Sequence, residues 1–264
     1  MTRTIIITIL ALSVFACKEE ATTVPTSNNT EELKVDERYR PLIHHFSSTG
    51  CGPCGRFGIP VLSQVAQEMG DTVLPLITHF KYNDPFITSS SEAIEQAVLV
   101  QWYSPQIWVN SNNITFSILN DNIPTAVEKT KSLLRAQLSN EAEAYVGLKS
   151  SYNANERYDV DWLIKNNTTD SATFHVEVYA MEDGIVASQA GADPFVSTHF
   201  RVNRGGHYGN MGKKVALGGD ETMSFDFEFI PCWVCEVDKQ YFNIIVWKET
   251  SPGRFSYVNG LEVK

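Results

Sequence analysis

The sequence predicts an α/β domain followed by an all-β domain built as an antiparallel sandwich, and three observations predict it. Residues 41–80 read strand, Cys-x-x-Cys, helix, strand. Beyond residue 140 the apolar spacing changes from the three-to-four repeat of a helix to the alternation of strands. The 264 residues are 43% hydrophobic, enough to bury substantial cores in one large or two ordinary domains. The expected order is a signal segment at 1–16, a tether at 17–35, the α/β domain at 36–140 and the sandwich at 141–264.

The N-terminus carries Arg3, an apolar run from Ile5 to Phe15 broken only by Thr8 and Ser13, and small Ala16 before Cys17. That is the plan of a secretory signal. As a helix the run would span roughly 16 Å, about half of what a membrane-crossing helix needs. Val14-Phe15-Ala16-Cys17 resembles a bacterial lipobox, with Phe15 bulkier than the residue usual there. The resemblance implies that Cys17 is lipidated through sulfur and becomes the new N-terminus, so that the membrane is a partner through two or three acyl chains. The alternative is an ordinary signal peptide ending near a chance cysteine. Lys18-Glu19-Glu20 resembles a surface-export signal of some Gram-negative lipoproteins, or is the start of a solvated tether. Outer-membrane attachment with surface exposure is therefore the expected location. Ala21 to Glu32 is rich in Thr, Ser and Asn, includes Pro25, and cannot bury a core. The net charge of −10, without a basic run, argues against a nucleic-acid partner.

Pro41 to Phe46 suits a buried strand, and Ser47 to Gly50 a loop. From Cys54 onward Phe57, Val61, Leu62, Val65, Ala66 and Met69 recur at helical spacing until Gly70 stops the pattern. Pro60 is expected to kink that helix near its first turns. Thr72 to Phe80 is the next strand. In this arrangement Cys51 stands at the helix N-terminus, where unsatisfied N–H groups favour a thiolate. A thiolate at neutral pH is the nucleophile of disulfide exchange. Cys54, one turn on, is placed to resolve a mixed disulfide by attacking Cys51. Pro53 suits a first helical turn because its missing N–H is an orphan there.

This order of elements resembles the thioredoxin superfamily, whose reducing members share the Gly-Pro dipeptide of Cys51-Gly52-Pro53-Cys54. The resemblance implies a thioredoxin-like fold and a cis-proline facing the disulfide, for which Pro105, before Gln106 to Asn110, is the candidate. Ile114 to Ile118 would be the last strand and Pro124 to Leu138 the closing helix. Gly50 stands where the family has tryptophan, and Gly55 where it has a basic residue. His45, six residues before Cys51, stands where the family buries a proton-shuttling aspartate. It is either such a shuttle or a hydrogen-bonded core residue. The neighbouring His44 faces the other way.

In the second half Tyr158 to Ile164, Phe174 to Ala180 and Met223 to Phe229 each alternate apolar with polar residues, and Tyr241 to Trp247 and Arg254 to Val258 are further strands. His175, His199 and His207 are scattered and hold no metal in this reading. Of five cysteines, four form the pairs Cys51/Cys54 and Cys232/Cys235. Cys232/Cys235 reads as a local structural disulfide or an electron relay, and the two pairs together as a four-thiolate zinc site in the minority alternative. No cofactor is expected.

Most of the mature chain resembles the lipoprotein family related to outer membrane protein 28, with Cys17, Cys51-Gly52-Pro53-Cys54 and Pro105 as its sharp motifs. Two functions follow as expectations. One is thiol–disulfide exchange on exported proteins, with Cys51 and Cys54 catalytic. The other is a surface binding or adhesion lipoprotein in which the Cys51/Cys54 domain is only a scaffold.

Overall fold

Leu42–Ser47 (β1) buries all six of its side chains. A strand with no wet face needs cover on both sides. The computed structural model describes residues 32–81, 83–99, 101–232 and 235–264, and in it that cover comes from both halves of the chain. After β1 come a π-helical turn at Cys54–Gly58 and the helix α1, Ile59–Met69. Pro60 therefore falls at the second position of α1, where no N–H is needed. The expected kinked helix is two pieces: the Ile59 N–H reaches back to the Cys54 carbonyl, giving a wide turn ahead of a regular helix. Gly70, at φ 57°, ends α1.

β2 (Leu74–His79) is followed by α2 (Ser89–Val98), a helix the sequence reading did not anticipate. Thr88 and Ser91 cap it reciprocally, each side chain bonding the other's backbone N–H. β3 (Gln106–Val109) and the two-residue β4 (Asn112–Asn113) form a tight hairpin. The strand expected at Ile114 to Ile118 is instead a short helix, α3 (Thr115–Ile118). Asn113 Oδ1 accepts the Thr115 N–H and the Thr115 hydroxyl accepts the Ile107 N–H, so local side-chain bonds turn the chain out of the sheet. α4 (Ile123–Arg135) is capped by Asn122.

The remaining elements are strands: β5 (Ala144–Tyr152), β6 (Tyr158–Asn166), β7 (Ala172–Glu182), β8 (Ile185–Ser188), β9 (Val196–His199), β10 (Val202–Gly206), β11 (Lys213–Leu217), β12 (Thr222–Phe229), β13 (Gln240–Ser251) and β14 (Arg254–Val263). Among the described residues no helix is long and apolar enough to cross a membrane.

The expected fold class, a thioredoxin-like α/β domain followed by a separate all-β sandwich, is corrected here. Among the described residues strand outweighs helix, and β1 to β4 do not close a sheet of their own. They continue, through β10 beside β2, into a nine-stranded mixed sheet of order β14-β13-β7-β10-β2-β1-β3-β4, with β11 also on β7. Among the described residues only β1–β2 and β10–β2 are parallel. The physical reason lies in β7 and β13. Phe174, Val176 and Val178 of β7, with Phe242, Ile244 and Val246 of β13, face a core shared with the three-stranded sheet β12-β6-β5. The alternate residues Tyr179, Met181, Ile245 and Trp247 face a second core shared with Leu42, Phe46, Leu74 and Leu76. Period-two strands thus serve two cores at once. The sandwich-like packing of the second half is present, but its larger sheet also carries the first half. On the opposite face of β1 to β3, Val61, Leu62 and Val65 of α1 and Ala126, Val127 and Leu134 of α4 form a third core.

Candidate functional site

β1 ends at Ser47, and a short loop carries the chain to Cys51. The Cys51 N–H donates to the Ser48 carbonyl at 3.0 Å and the Gly55 N–H to the Cys51 carbonyl at 3.2 Å. Cys51 therefore stands at the mouth of the π-helical turn, with the Cys54 N–H 3.1 Å from its Sγ. The two cysteines are disulfide-bonded, their Cα atoms 5.2 Å apart. Pro53 precedes the turn at φ −64°. The Ser104–Pro105 bond is cis. Pairing of Phe46 with Gln106 brings Pro105 to the end of β1 from which the cysteine loop leaves.

An N–H aimed at Sγ would stabilise a thiolate. Access is another matter. Cys51 is 4% exposed and Cys54 fully buried. The cover comes from the hairpin β8–β9, whose connecting segment lies across the cysteine loop. Gln189 Nε2 donates to the Ser48 carbonyl at 3.1 Å and the Cys51 carbonyl at 3.2 Å. The Ala190 N–H donates to the Thr49 carbonyl at 2.7 Å. Backbone meets backbone so closely that a Cβ at Gly55 would run into the Ala190 carbonyl, and one at Gly191 into Gly52. Gly55, a departure from the thioredoxin pattern, is thus what lets this strap sit down. The strap was not anticipated from sequence. The signals available were Gly184 and Gly191, both at positive φ, on either side of one short β-prone run, Ile185 to Ser188, with a second, Val196 to His199, after it.

His45 is fully buried, and its ring packs where a Cβ on Gly58 would be. Burial, and then the nearby His79, push its pKa down to about 3, so the ring is neutral at physiological pH. Neither ring nitrogen has a hydrogen-bond partner among the described residues. His44 bonds Thr78 at 2.7 Å on the opposite face. A buried dyad that sequence reasoning missed lies close by. His79 Nδ1 is 2.9 Å from Asp84 Oδ2, which also accepts the Thr49 N–H at 2.5 Å, while Oδ1 accepts the Phe86 N–H at 2.9 Å. Burial would raise the Asp84 carboxyl, but the bond from His79, its charge and the two backbone N–H groups hold it below its ordinary value. Asp84 therefore pins Thr49, whose carbonyl receives the strap. Asp84-Pro85 after a strand is a turn signal that could have pointed to it. His199, whose ring centre is 6.1 Å from that of His79, ends β9 and is depressed by burial and then by His79. It lines a cleft of about 420 Å³ with Arg56, Pro60, Asp193 and Thr198.

Cys232 and Cys235, between β12 and β13, form the second disulfide, with Cα atoms 5.3 Å apart and the Cys235 N–H bonded to the Cys232 carbonyl. Each of these four cysteine sulfurs is thus bonded within its own pair, and the four-thiolate alternative is not assembled. Arg204, on β10, reaches both sulfurs of the second pair, Nε to Cys235 Sγ at 3.2 Å and Nη2 to Cys232 Sγ at 3.5 Å. Its Nε also lies 3.2 Å from the buried Glu182 carboxylate of β7. Glu182 and the two sulfurs lie within 4.8 Å of one another, but the guanidinium occupies the ground a cation would take. Cys17 and Lys18-Glu19-Glu20 lie outside the described residues. His175 lies on β7 against Phe255, and His207 just after β10 against Phe227.

No protein-family model matches this chain, and neither does any curated protein. Among solved structures, HBP35 of Porphyromonas gingivalis superposes with a TM-score of 0.65 at 15% identity, over 87% of this chain and 76% of that one. At that identity the likeness is one of fold, and it spans both halves of the chain. A GH3 beta-glucosidase of Bifidobacterium adolescentis matches 46% of this chain and 17% of its own at 14% identity, with a TM-score of 0.27. A beta-glucosidase from Listeria innocua matches 47% and 16% at 17% identity, with a TM-score of 0.24. This chain spans less than a fifth of either enzyme, and those two likenesses carry no argument.

Proposed function

We propose that this chain is a cell-envelope lipoprotein that works by recognition, anchored through Cys17 and presenting the β8–β9 hairpin as its contact surface. The lipobox-like Val14 to Cys17 and the resemblance to outer membrane protein 28-related lipoproteins support the anchor and the outer-membrane location. The observation that carries the reading is the burial of Cys51 and Cys54 beneath Gln189 to Ala192. Disulfide exchange requires that an incoming thiolate reach the sulfur, and the strap blocks that approach. The Cys51–Cys54 bridge then stiffens the platform on which the strap rests. The outward face of the hairpin carries Val186, 69% exposed, and Val196, with Phe195, 60% exposed, beside them. Apolar groups clustered on a wet surface mark contact sites.

The mature chain is expected to reduce insulin, with dithiothreitol as electron source, no faster than its Cys51→Ser variant. Val186→Asp with Phe195→Asp is expected to abolish binding to whichever host matrix protein or glycan the wild type retains on an array. Stability should change by only about 0.5 kcal/mol, as for other exposed positions. Insulin turnover that depends on Cys51, or binding indifferent to the hairpin substitutions, would overturn the reading. A second reading, exchange at Cys51 once the strap lifts, is favoured by the Cys54 N–H directed at Cys51 Sγ.

A further inference from the structure

We propose that Cys232–Cys235 is the exchange-competent disulfide of this protein, an oxidant that accepts electrons from a dithiol.

The two pairs share a spacing and differ in everything that governs reactivity. Cys51 and Cys54 are covered by the strap, whereas Cys232 and Cys235 are both partly exposed. More telling is Arg204. Its guanidinium spends two donors on the two sulfurs, at 3.2 and 3.5 Å. Sulfur in a disulfide is a weak acceptor, so a bridge that only fastened a loop would gain little from this. A thiolate gains a great deal from a guanidinium aimed at it. The group is held in place. Arg204 rises from β10, and Glu182 of the neighbouring β7 fixes its Nε, while the other Glu182 oxygen accepts the Glu236 N–H at 3.0 Å just after Cys235. Arg204 and Glu182 are positioning residues; the sulfurs react.

The chemistry follows from the distances. A thiolate of the incoming dithiol, having given its proton to solvent, attacks Cys232 Sγ. The Cys232–Cys235 bond breaks, and its electron pair leaves on Cys235 Sγ, the sulfur nearest Nε. The second thiol of the dithiol, deprotonated in turn, attacks the mixed disulfide and releases Cys232. The dithiol ends as a disulfide, the pair as two cysteines, and the protons return to these through solvent. Because Arg204 stabilises the thiolate, it favours the reduced pair, which makes the disulfide the stronger oxidant.

The mature chain is equilibrated with reduced and oxidised dithiothreitol at graded ratios, alkylated, and read peptide by peptide by mass spectrometry. The Cys232/Cys235 peptide is expected to be half reduced at a reduced-to-oxidised ratio about tenfold lower than Cys51/Cys54. Arg204→Gln should raise that ratio about tenfold, and Arg204→Lys should restore most of it. If Arg204→Gln leaves Glu182 unpaired and the chain unfolds, Arg204→Gln/Glu182→Gln replaces it in the same assay. A parallel arm offers reduced, unfolded ribonuclease A: loss of the Cys232–Cys235 bridge there, with one ribonuclease disulfide gained per bridge lost, identifies a protein dithiol, and loss confined to dithiothreitol identifies a small one. Equal or reversed order of reduction of the two pairs would overturn the proposal. So would a folded charge-removed variant whose ratio is unchanged.

Discussion

Glu177 shows at a single residue what alternation reveals and what it hides. The pattern of β7 separates Val176 and Val178 from Glu177, and by itself it assigns the carboxyl to the wet face. That face is not wet, because β7 lies between two cores, and Glu177 is fully buried. Burial pushes its pKa from 4.5 up to about 7, against the opposing pull of backbone N–H groups, those of Val178 and Tyr208 both at 2.9 Å from Oε1. Because the folded value lies above the unfolded one, the native state binds the extra proton between them. Stability is then full below about pH 4.5, declines as pH rises, and is lost once pH passes about 7. At 1.36 kcal/mol per unit, the loss is about 3 kcal/mol. Glu177→Gln keeps an oxygen for both N–H groups and has no charge to bury. Urea denaturation at pH 5 and pH 8 should show the wild type weakening relative to the variant by about that amount. Parallel pH profiles for the two proteins would show that Glu177 is not ionising in that window.

At the scale of elements, the cysteine site was legible where its causes are local. The Cys-x-x-Cys pair, the helical repeat from Phe57 to Met69 and the Gly70 stop all act within a few turns of chain. The strap was not, because Gln189 meets Cys51 across 138 residues of sequence, and no local pattern carries that contact. Gly55 read as a mere departure for the same reason. The strap docks through three hydrogen bonds, from Gln189 Nε2 and the Ala190 N–H, and two glycine contacts, which places it among the segments that open locally before the fold does. Gly55→Ala would force it off the cysteine loop, and Gln189→Ala would remove two of its bonds. Both variants should speed reduction of Cys51–Cys54 by dithiothreitol about tenfold or more, in the manner of a local opening whose cost has fallen by about 1.4 kcal/mol. The rate for Cys232–Cys235 serves as the internal control. If only global unfolding exposes Cys51, the rates will track stability and not the strap, and exchange at Cys51 ceases to be a workable second reading.

At the scale of the molecule, each half of the chain displayed its own periodicity, but no periodicity states which half covers which. Leu42, Phe46, Leu74 and Leu76 find cover in Tyr179, Ile245, Trp247 and Tyr257. Polar contacts cross the same seam: the Tyr257 hydroxyl donates to the Arg40 carbonyl at 2.5 Å, and Asn259 Oδ1 accepts the Arg40 N–H at 3.1 Å. A fragment of residues 36–140 would leave one face of β1 and β2 in water and one edge of β2 without β10, so its circular dichroism should be that of an unfolded chain. Trp247 offers the sharper test. It is 1% exposed, donates to the Tyr179 hydroxyl at 3.2 Å and stacks edge-on against Tyr257. Trp247→Ala should cost about 3–5 kcal/mol. If one shared core holds residues 33–264 together, the wild type unfolds in a single transition by every probe, and the variant shifts that transition as a whole. Two independent domains would respond differently: the variant would split the melt, leaving the transition of residues 36–140 where it was. The cysteines report on that half directly, since under one shared core alkylation of reduced Cys51 and Cys54 must follow the same shifted curve as the tryptophan fluorescence of the whole chain.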